Sequence, residues 1–207
     1  MDKQDTVFVV DDDEGIREGL GLLLETVGQP YESYSSAIEF LDAYDASKGG
    51  CLVLDIRMPQ LSGLELQEKL NEQGSLLPII FITGHGDIQM AVEAMRRGAL
   101  DFIRKPFREQ DLLDRINEAL AFDAGKRKNI AERQQLVDKV AALSKREHEV
   151  FHRVAAGEMS KVIASNLGIS VRTVEVYRSQ VMKKLGVRTV AQLVRIKIEV
   201  ELMQHSE

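Results

Sequence analysis

Five polar side chains in the first half of the chain stand where short apolar runs end. In chain order they are Asp11, Asp12, Asp55, Thr83 and Lys105. Short runs that are apolar throughout predict parallel strands buried on both faces. The carboxyl ends of such strands meet at one edge of an open α/β sheet, where ligands bind. We therefore expect these five side chains to converge.

Three carboxylates at one edge repel one another unless a cation is present. A hard divalent ion with oxygen ligands, above all Mg²⁺, resolves that conflict. Lys105 adds a positive charge and Thr83 a hydroxyl donor, and both suit the oxygens of a phosphoryl group. The set predicts phosphoryl transfer to a carboxylate, with Asp55 as the phosphate acceptor.

Strands and helices alternate along the region that must position these residues. The predicted strands are Thr6–Val10, Tyr31–Tyr34, Cys51–Leu54, Pro78–Thr83 and Asp101–Ile103. Helical patterns follow them, within residues 16–27, 37–41, 64–71, 88–97 and 112–122. Strict alternation predicts an α/β doubly wound, five-stranded parallel sheet, and the flavodoxin-like order 2-1-3-4-5 is common at this size.

The charge of the chain divides at the same place as the pattern. Residues 1–124 hold 11 Lys and Arg against 24 Asp and Glu, whereas residues 125–207 hold 16 against 9. An acidic half joined to a basic half makes the basic half a candidate for nucleic acid. We expect domains at 1–124 and 143–207, joined by a largely helical linker at 125–142, continuous with the preceding helix except for strain at Gly125.

The basic half predicts a small all-α domain with a helix-turn-helix. Ser144 with Glu147 forms a capping box for a first helix, and Ser160 is expected to cap a second helix that ends at Gly168. Ser170 caps a third, Val171–Leu185, which is the predicted recognition helix, and Thr189 starts a fourth. The third helix carries cations that suit phosphates and short polar residues that suit base edges. The candidate DNA contacts are Arg172, Thr173, Tyr177, Arg178, Ser179, Gln180, Lys183 and Lys184.

His148-Glu149-Val150-Phe151-His152 matches the H-E-x-x-H pattern of zinc proteases. A third ligand is required, and the extended pattern would need a histidine where this chain has Glu158. Glu175 is the remaining candidate ligand. Val150, Phe151 and Val154 form a core-facing stripe instead, which favours an ordinary packed helix over a metal site.

The motifs of the acidic half together resemble the receiver domain of two-component response regulators, over about residues 5–124. They are Asp11-Asp12, Asp55-x-x-Met58-Pro59, Ser62-Gly63, Thr83-Gly84, Gly98-Ala99-x-Asp101-Phe102 and Lys105-Pro106. The resemblance implies that a sensor histidine kinase phosphorylates Asp55. It also implies that Mg²⁺ binds Asp11, Asp12, Asp55 and the backbone carbonyl of Arg57, and that the Lys105-Pro106 bond is cis.

The same resemblance implies a switch and a phosphate lifetime. Lys105 would bridge to the phosphoryl group, Thr83 would move to hydrogen-bond it, and Phe102 would turn inward behind Thr83. Arg57 and His85 occupy the two positions at which such domains tune hydrolysis of the acyl phosphate.

Residues 143–198 resemble the LuxR-type DNA-binding domain, on Leu143-Ser144-x-Arg146-Glu147, Lys161-x-Ile163-Ala164, Leu167-Gly168-Ile169-Ser170-x-x-Thr173-Val174-x-Val176 and Lys184-Leu185-Gly186-Val187. This resemblance adds Val176 to the DNA-contacting residues, and it places Glu175 where many relatives carry Lys. The whole chain resembles NarL/FixJ-family regulators, closest to FixJ. That implies a homodimer when phosphorylated, a double-stranded DNA operator with two half-sites and contact with RNA polymerase, and it favours activation over repression.

Two alternatives stay open at this point. A haloacid-dehalogenase-like phosphatase also uses an Asp nucleophile with Mg²⁺, but it would carry a second Asp at the position of Arg57. A DNA-binding regulator could instead use its receiver only as a dimerisation module, without phosphorylation. The absence of a signal-peptide pattern and of a long apolar run, together with a single Cys, leads us to expect a cytoplasmic protein with no membrane partner.

Overall fold

The acidic half of the chain forms a parallel five-stranded sheet. The computed structural model describes residues 5–84 and 88–204. The strands are β1 (Thr6–Val10), β2 (Tyr31–Tyr34), β3 (Gly50–Asp55), β4 (Ile79–Thr83) and β5 (Asp101–Arg104). Their order is β2-β1-β3-β4-β5 and every pairing is parallel, which confirms the predicted 2-1-3-4-5 topology.

Helices connect the strands and cover both faces of the sheet. They are α1 (Glu14–Thr26), α2 (Ala37–Ala43), α3 (Gly63–Glu72), α4 (Ile88–Arg96) and α5 (Glu109–Ala141). Side-chain caps fix where the first three begin, at Asp13, Ser36 and Ser62. Each cap oxygen accepts a backbone N–H that the first helical turn leaves without a partner.

Apolar residues that follow one another in a strand belong to different cores. Phe8 and Val10 pack with Leu52, Leu54 and Phe81 in one cluster. Their sequence neighbours pack in a second cluster, which α1 and α5 cover through Leu20, Leu24, Leu112 and Ile116. Because side chains alternate across a strand, covering both faces requires the continuous apolar runs seen in the sequence.

Helix α5 runs without interruption for 33 residues, through Gly125 and the predicted linker. Its residue Asp123 is buried and accepts a hydrogen bond from the backbone N–H of Gly50 at 2.9 Å. Arg127 forms an ion pair with Asp123 (2.7 Å between Nε and Oδ2) and another with Asp5. The chain divides into two compact units after Arg127.

The second unit is all α. After α5 it contains α6 (Lys145–Ala155), α7 (Ser160–Leu167), α8 (Val171–Leu185) and α9 (Val190–Gln204). One core joins these helices, through Val150, Phe151, Ile163, Val174, Val181, Leu185, Leu193 and Ile196, and Val140 of α5 completes it. Gly168 and Gly186 end α7 and α8 at φ values of 65° and 70°, a left-handed conformation that glycine adopts without strain.

The prediction that Ser160 caps the second helix of this unit is wrong. Met159 occupies the cap position and makes no side-chain cap bond. The Ser160 hydroxyl, now the first residue of α7, instead accepts a hydrogen bond from Arg178 Nη1 at 2.6 Å. The sequence predicted that the Ser160 hydroxyl would accept from a backbone N–H of its own helix. Arg178 of the neighbouring helix α8 donates to this hydroxyl instead. The caps at Ser144 and Ser170 are confirmed.

Glu147 is a buried carboxylate at the start of α6. It closes the predicted capping box, accepting from the Ser144 backbone N–H at 2.7 Å. Its other partner is Lys184 at the end of α8, with Nζ 2.7 Å from Oε2. The hydrogen bonds from Lys184 and Ser144 lower the pKa of Glu147 from 4.5 to about 2.

No helix within the described ranges is long and apolar enough to cross a bilayer.

We expect Glu147→Gln to lower the free energy of unfolding by about 1–2 kcal/mol at neutral pH, since it removes the charge from a buried hydrogen bond. Because folding lowers the pKa of Glu147, its contribution is complete above pH 4.5 and is lost as the pH falls towards the folded-state value. Denaturant unfolding of the full chain, followed by circular dichroism across this pH range, measures it.

Glu149→Gln is the matched control. Glu149 is only partly buried and pairs with Arg146 at the surface of the same helix, so its loss should change stability by less than about 0.5 kcal/mol at any pH. A difference between wild type and Glu147→Gln that stays constant down to low pH would contradict the assignment of the stabilisation to the ionised carboxylate.

Candidate functional site

Two carboxylates at the carboxyl edge of the sheet share one ammonium group. Lys105 Nζ lies 2.9 Å from Asp11 Oδ2 and 2.7 Å from Asp55 Oδ1. Asp11 directly follows β1, Asp55 ends β3, and Lys105 directly follows β5. Since β1 and β3 are neighbours, the topology brings together residues that lie 44 and 50 positions apart.

Burial makes this arrangement energetically demanding. Asp11 is only 2% exposed and Asp55 only 8%. Desolvation raises the pKa of Asp55 above its ordinary value, although the ammonium of Lys105 opposes the rise. Burial by itself would lower the pKa of Lys105, but its hydrogen bonds to Asp55 and Asp11 carry that pKa above the ordinary value. A charged lysine is thus held against the two acids.

The loop after β3 fixes the orientation of Asp55. The backbone N–H of Arg57 donates to Asp55 Oδ2 at 2.7 Å, which leaves Oδ1 for Lys105. Gly63 opens α3 so close to the site that a Cβ there would lie 2.2 Å from the Asp55 carbonyl oxygen. The Ser62-Gly63 pair therefore combines a helix cap with a close approach that only glycine permits.

Asp11 is held from its other side as well. Its Oδ1 accepts from the backbone N–H of Asp13 at 2.9 Å, and its carbonyl accepts from Arg17 Nη1 at 2.8 Å. Asp12, at the end of the same strand, is exposed. The structure therefore brings Asp11, Asp55 and Lys105 into direct contact and leaves Asp12 at the surface beside them.

Thr83 and Phe102 lie on adjacent strands at the same edge. Thr83 is buried, and its hydroxyl donates to the Ile103 carbonyl at 3.4 Å, towards β5. Phe102 is 40% exposed, so its ring faces outward. The Lys105-Pro106 bond is cis, as expected. His85 lies outside the described residues, and Arg57 is exposed. Their predicted effect on phosphate lifetime stays a prediction.

The carboxylates fit a hard divalent cation. In the described residues no three His, Cys, Asp or Glu side chains converge enough to hold a metal by themselves. Mg²⁺, however, usually takes only one or two carboxylates and completes its shell with carbonyl, water and phosphate oxygens. Asp11 and Asp55 already direct oxygens at one positive charge, which is the arrangement that such a shell needs.

The predicted recognition helix α8 exposes part of its predicted set. The exposed residues are Arg172, Val176, Ser179, Gln180, Lys183 and Lys184, whereas Thr173, Tyr177 and Arg178 are partly buried. Two of its cations contact other helices: Lys184 reaches Glu147, and Arg178 reaches Ser160. Glu175 pairs with Arg178, at 3.4 Å. The sequence predicted Glu147 only as part of a capping box and missed its ion pair with Lys184. The two residues are 37 positions apart, and no local pattern indicates such a contact.

The H-E-x-x-H histidines do lie side by side on α6, with ring centroids 4.5 Å apart. Desolvation and the neighbouring His148 lower the pKa of His152. The intervening Val150 and Phe151 are buried in the core of the unit. No third ligand joins the pair within the described residues, so the protease pattern finds no support.

Two family models match the chain in sequence order. Residues 7–117 match the response regulator receiver domain, and residues 141–197 match the bacterial regulatory proteins of the luxR family. The first match alone covers more than half of the chain. Both matches fall on the motifs described above.

Several known proteins are similar over nearly the full length. The transcriptional regulatory protein TdiR of Thauera aromatica is 46% identical over 91% of this chain and 83% of its own. The transcriptional regulatory protein FixJ of Azorhizobium caulinodans is 43% identical over 92% and 90%.

Among solved structures, the response regulator StyR is similar with a TM-score of 0.86 and 45% identity, over 95% of this chain and 99% of its own. The full-length FixJ from B. japonicum gives 0.60 and 39%, over 97% and 98%. The chain therefore belongs to the NarL/FixJ family of two-component response regulators, transcriptional regulators that join a receiver domain to a LuxR-type DNA-binding domain.

Proposed function

We propose that Asp55 accepts a phosphoryl group from the phosphohistidine of a sensor histidine kinase, and that this modification controls transcription. The observation that carries the proposal is the pair of buried carboxylates, Asp11 and Asp55, that share the ammonium of Lys105. Buried like charges are costly to hold together. The ammonium between them is placed to pair with the three oxygens of an incoming phosphoryl group, which carries up to two negative charges.

The chemistry is a displacement at phosphorus. An Asp55 carboxylate oxygen attacks, the P–N bond to the kinase imidazole breaks, and the electron pair leaves with the imidazole nitrogen, which then takes a proton. The product is an acyl phosphate on Asp55. Burial raises the pKa of Asp55 and Lys105 opposes that rise, so Lys105 favours the ionised acceptor. Its ammonium is also within reach of new phosphoryl oxygens.

Receiver domains of this family typically bind Mg²⁺ at the phosphorylation site. In this chain the carboxylates of Asp11, Asp12 and Asp55 and the backbone carbonyl of Arg57 would hold the ion. When bound, it would neutralise charge on the phosphoryl oxygens. The support is the convergence of Asp11 and Asp55 and the exposure of Asp12 at the end of β1.

Thr83 and Phe102 would report the phosphate. The Thr83 hydroxyl now bonds weakly to the Ile103 carbonyl, so it can exchange that partner for a phosphoryl oxygen. Its movement would open space for the exposed ring of Phe102 to turn inward. The altered surface of α4, β5 and α5 would then pair two receivers in a homodimer.

The output would be sequence-specific binding to a two-half-site DNA operator by paired recognition helices. Arg172, Thr173, Val176, Tyr177, Arg178, Ser179, Gln180, Lys183 and Lys184 are the candidate contacts. Activation through RNA polymerase is the favoured outcome. The functional limits 1–124, 125–142 and 143–207 belong to the same proposal.

Two other mechanisms make different predictions. The family consists of transcriptional regulators rather than enzymes, which disfavours a phosphatase, and Arg57 stands where a haloacid-dehalogenase-like enzyme would carry Asp. A regulator that dimerises without phosphorylation would carry the same DNA-binding unit, so only the chemistry of Asp55 separates it from the main proposal.

Incubation of the full chain with acetyl phosphate and Mg²⁺ should add the mass of one phosphoryl group, read by intact mass spectrometry. Asp55→Asn should add none, because the amide is not a nucleophile. Asp45→Asn, a loop acid away from the strand ends, is the matched control and should react as wild type. Unmodified wild type, or steady release of phosphate without an adduct, would refute the proposal.

Replacement of Lys105 by Gln should slow formation of the adduct about 10²-fold, since a cation that stabilises the transferring phosphoryl group is lost. The pKa of Asp55 should rise further, so the reaction should need a higher pH. Lys105→Arg keeps the charge and should retain a larger share of the rate. Equal initial rates for Lys105→Gln and wild type would remove Lys105 from the mechanism.

Loss of the Thr83 hydroxyl in Thr83→Ala should separate the chemistry from the response. The adduct should form at a rate within about threefold of wild type, because Asp55 and Lys105 remain. The dimerisation constant, measured by sedimentation, should fall about tenfold or more, because one hydrogen bond to a charged group is lost. Thr83→Ser keeps the hydroxyl and should respond as wild type. A Thr83→Ala protein that dimerises fully on phosphorylation would exclude the switch.

A further inference from the structure

The four cations of helix α8 have different partners. Lys184 pairs with the buried carboxylate of Glu147 on α6. Arg178 donates to the Ser160 hydroxyl at the start of α7 and pairs with Glu175. Arg172 and Lys183 are exposed, and their side chains make no ion pair or hydrogen bond with the part of the chain that the structure describes.

The spacing of these residues places them on three sides of the helix. At about 100° per residue, Lys183 lies about 20° from Arg172 around the helix axis. Val176 and Ser179 fall within about 40° of Arg172, so these four residues form one stripe, which we call the exposed stripe. Arg178 and Lys184 lie about 120° away from Arg172, on opposite sides of it.

The two flanking contacts differ in strength but act in the same way. Glu147 is 3% exposed and also completes the cap of α6, so its carboxylate has little freedom. The Arg178 contact to Ser160, at 2.6 Å, fixes the side chain between α7 and α8. Each contact joins one side of α8 to a neighbouring helix, through Arg178 to α7 and through Lys184 to α6.

Resting on the DNA-binding function proposed above, we propose that Arg178 and Lys184 are positioning residues of the recognition helix and that DNA is contacted through the exposed stripe, Arg172, Val176, Ser179 and Lys183. Arg172 and Lys183 supply the phosphate contacts at the two ends of the stripe. Val176 and Ser179 lie between them, towards the base edges. Four of the nine candidate DNA contacts thus lie on the exposed stripe.

The salt dependence of binding separates the two roles. Each phosphate contact contributes about 0.9 to the slope of log K against log salt concentration on duplex DNA. The probe is a duplex that the phosphorylated full-length wild type selects from a random-sequence pool. Arg172→Gln and Lys183→Gln should each lower the slope by about 1.8, because the dimer loses one phosphate contact at each half-site. Arg178→Gln and Lys184→Gln should leave the slope unchanged and weaken binding severalfold at every salt concentration.

Two further variants test the positioning role directly. Lys184→Arg keeps a cation for Glu147 and should restore most of the affinity that Lys184→Gln loses. Glu147→Gln should weaken binding as Lys184→Gln does, and the double variant should bind no more weakly than either single one. If Lys184 contacted phosphate instead, Glu147→Gln would release its ammonium and binding would become tighter. Thermal unfolding of each variant confirms that it is folded at the assay temperature.

A slope that falls by about 1.8 in Lys184→Gln or Arg178→Gln, or that does not change in Arg172→Gln and Lys183→Gln, would overturn the assignment. Wild type that selects no duplex, phosphorylated or not, would overturn the DNA-binding function itself, and with it this inference. Because all variants keep Asp55, failure of phosphoryl transfer would appear in the mass measurement and would not be mistaken for either result.

Discussion

The ammonium of Lys105 holds together two buried carboxylates that would otherwise repel each other. Asp11 follows β1 and Asp55 ends the neighbouring strand β3, and both carboxylates contact the same ammonium. Without a cation, burial would favour the neutral form of Asp55, and a protonated Asp55 could not attack phosphorus. The proposed acceptor therefore depends on Lys105, and the position of Lys105 depends on β5 lying at its place in the sheet.

The sheet can bear this cost because its own packing is extensive. Both faces of β1, β3 and β4 are covered, and their apolar residues are almost entirely inaccessible. Close approach at Gly63 and the cap at Ser62 then set the loop that orients Asp55. The chemistry thus sits at the edge of the packed sheet. Of the two residues proposed to respond to it, Thr83 makes a long hydroxyl bond of 3.4 Å and Phe102 is 40% exposed.

The DNA-binding unit uses charge in the opposite way. In the receiver, a cation is brought to buried acids to prepare a reaction. In the second unit, a buried acid, Glu147, pairs with Lys184 of α8, whose side chain stays half exposed. Under the proposal made above, this pairing makes Lys184 a positioning residue rather than a phosphate contact. Helix α5 contributes to the cores of both units, through Ile116 in the first and Val140 in the second.

The amino-acid sequence by itself determined the class of each unit and the order of the strands, and it predicted which polar residues would meet at one edge of the sheet. Apolar runs, caps and end-of-run polar residues are local signals, and in a parallel sheet strand ends must share an edge. Only the tertiary structure decided which partners the charged side chains take. Ser160 binds Arg178 rather than capping α7, and Lys184 binds Glu147, because those partners come from other helices. Such contacts depend on how helices pack, and no local pattern encodes that.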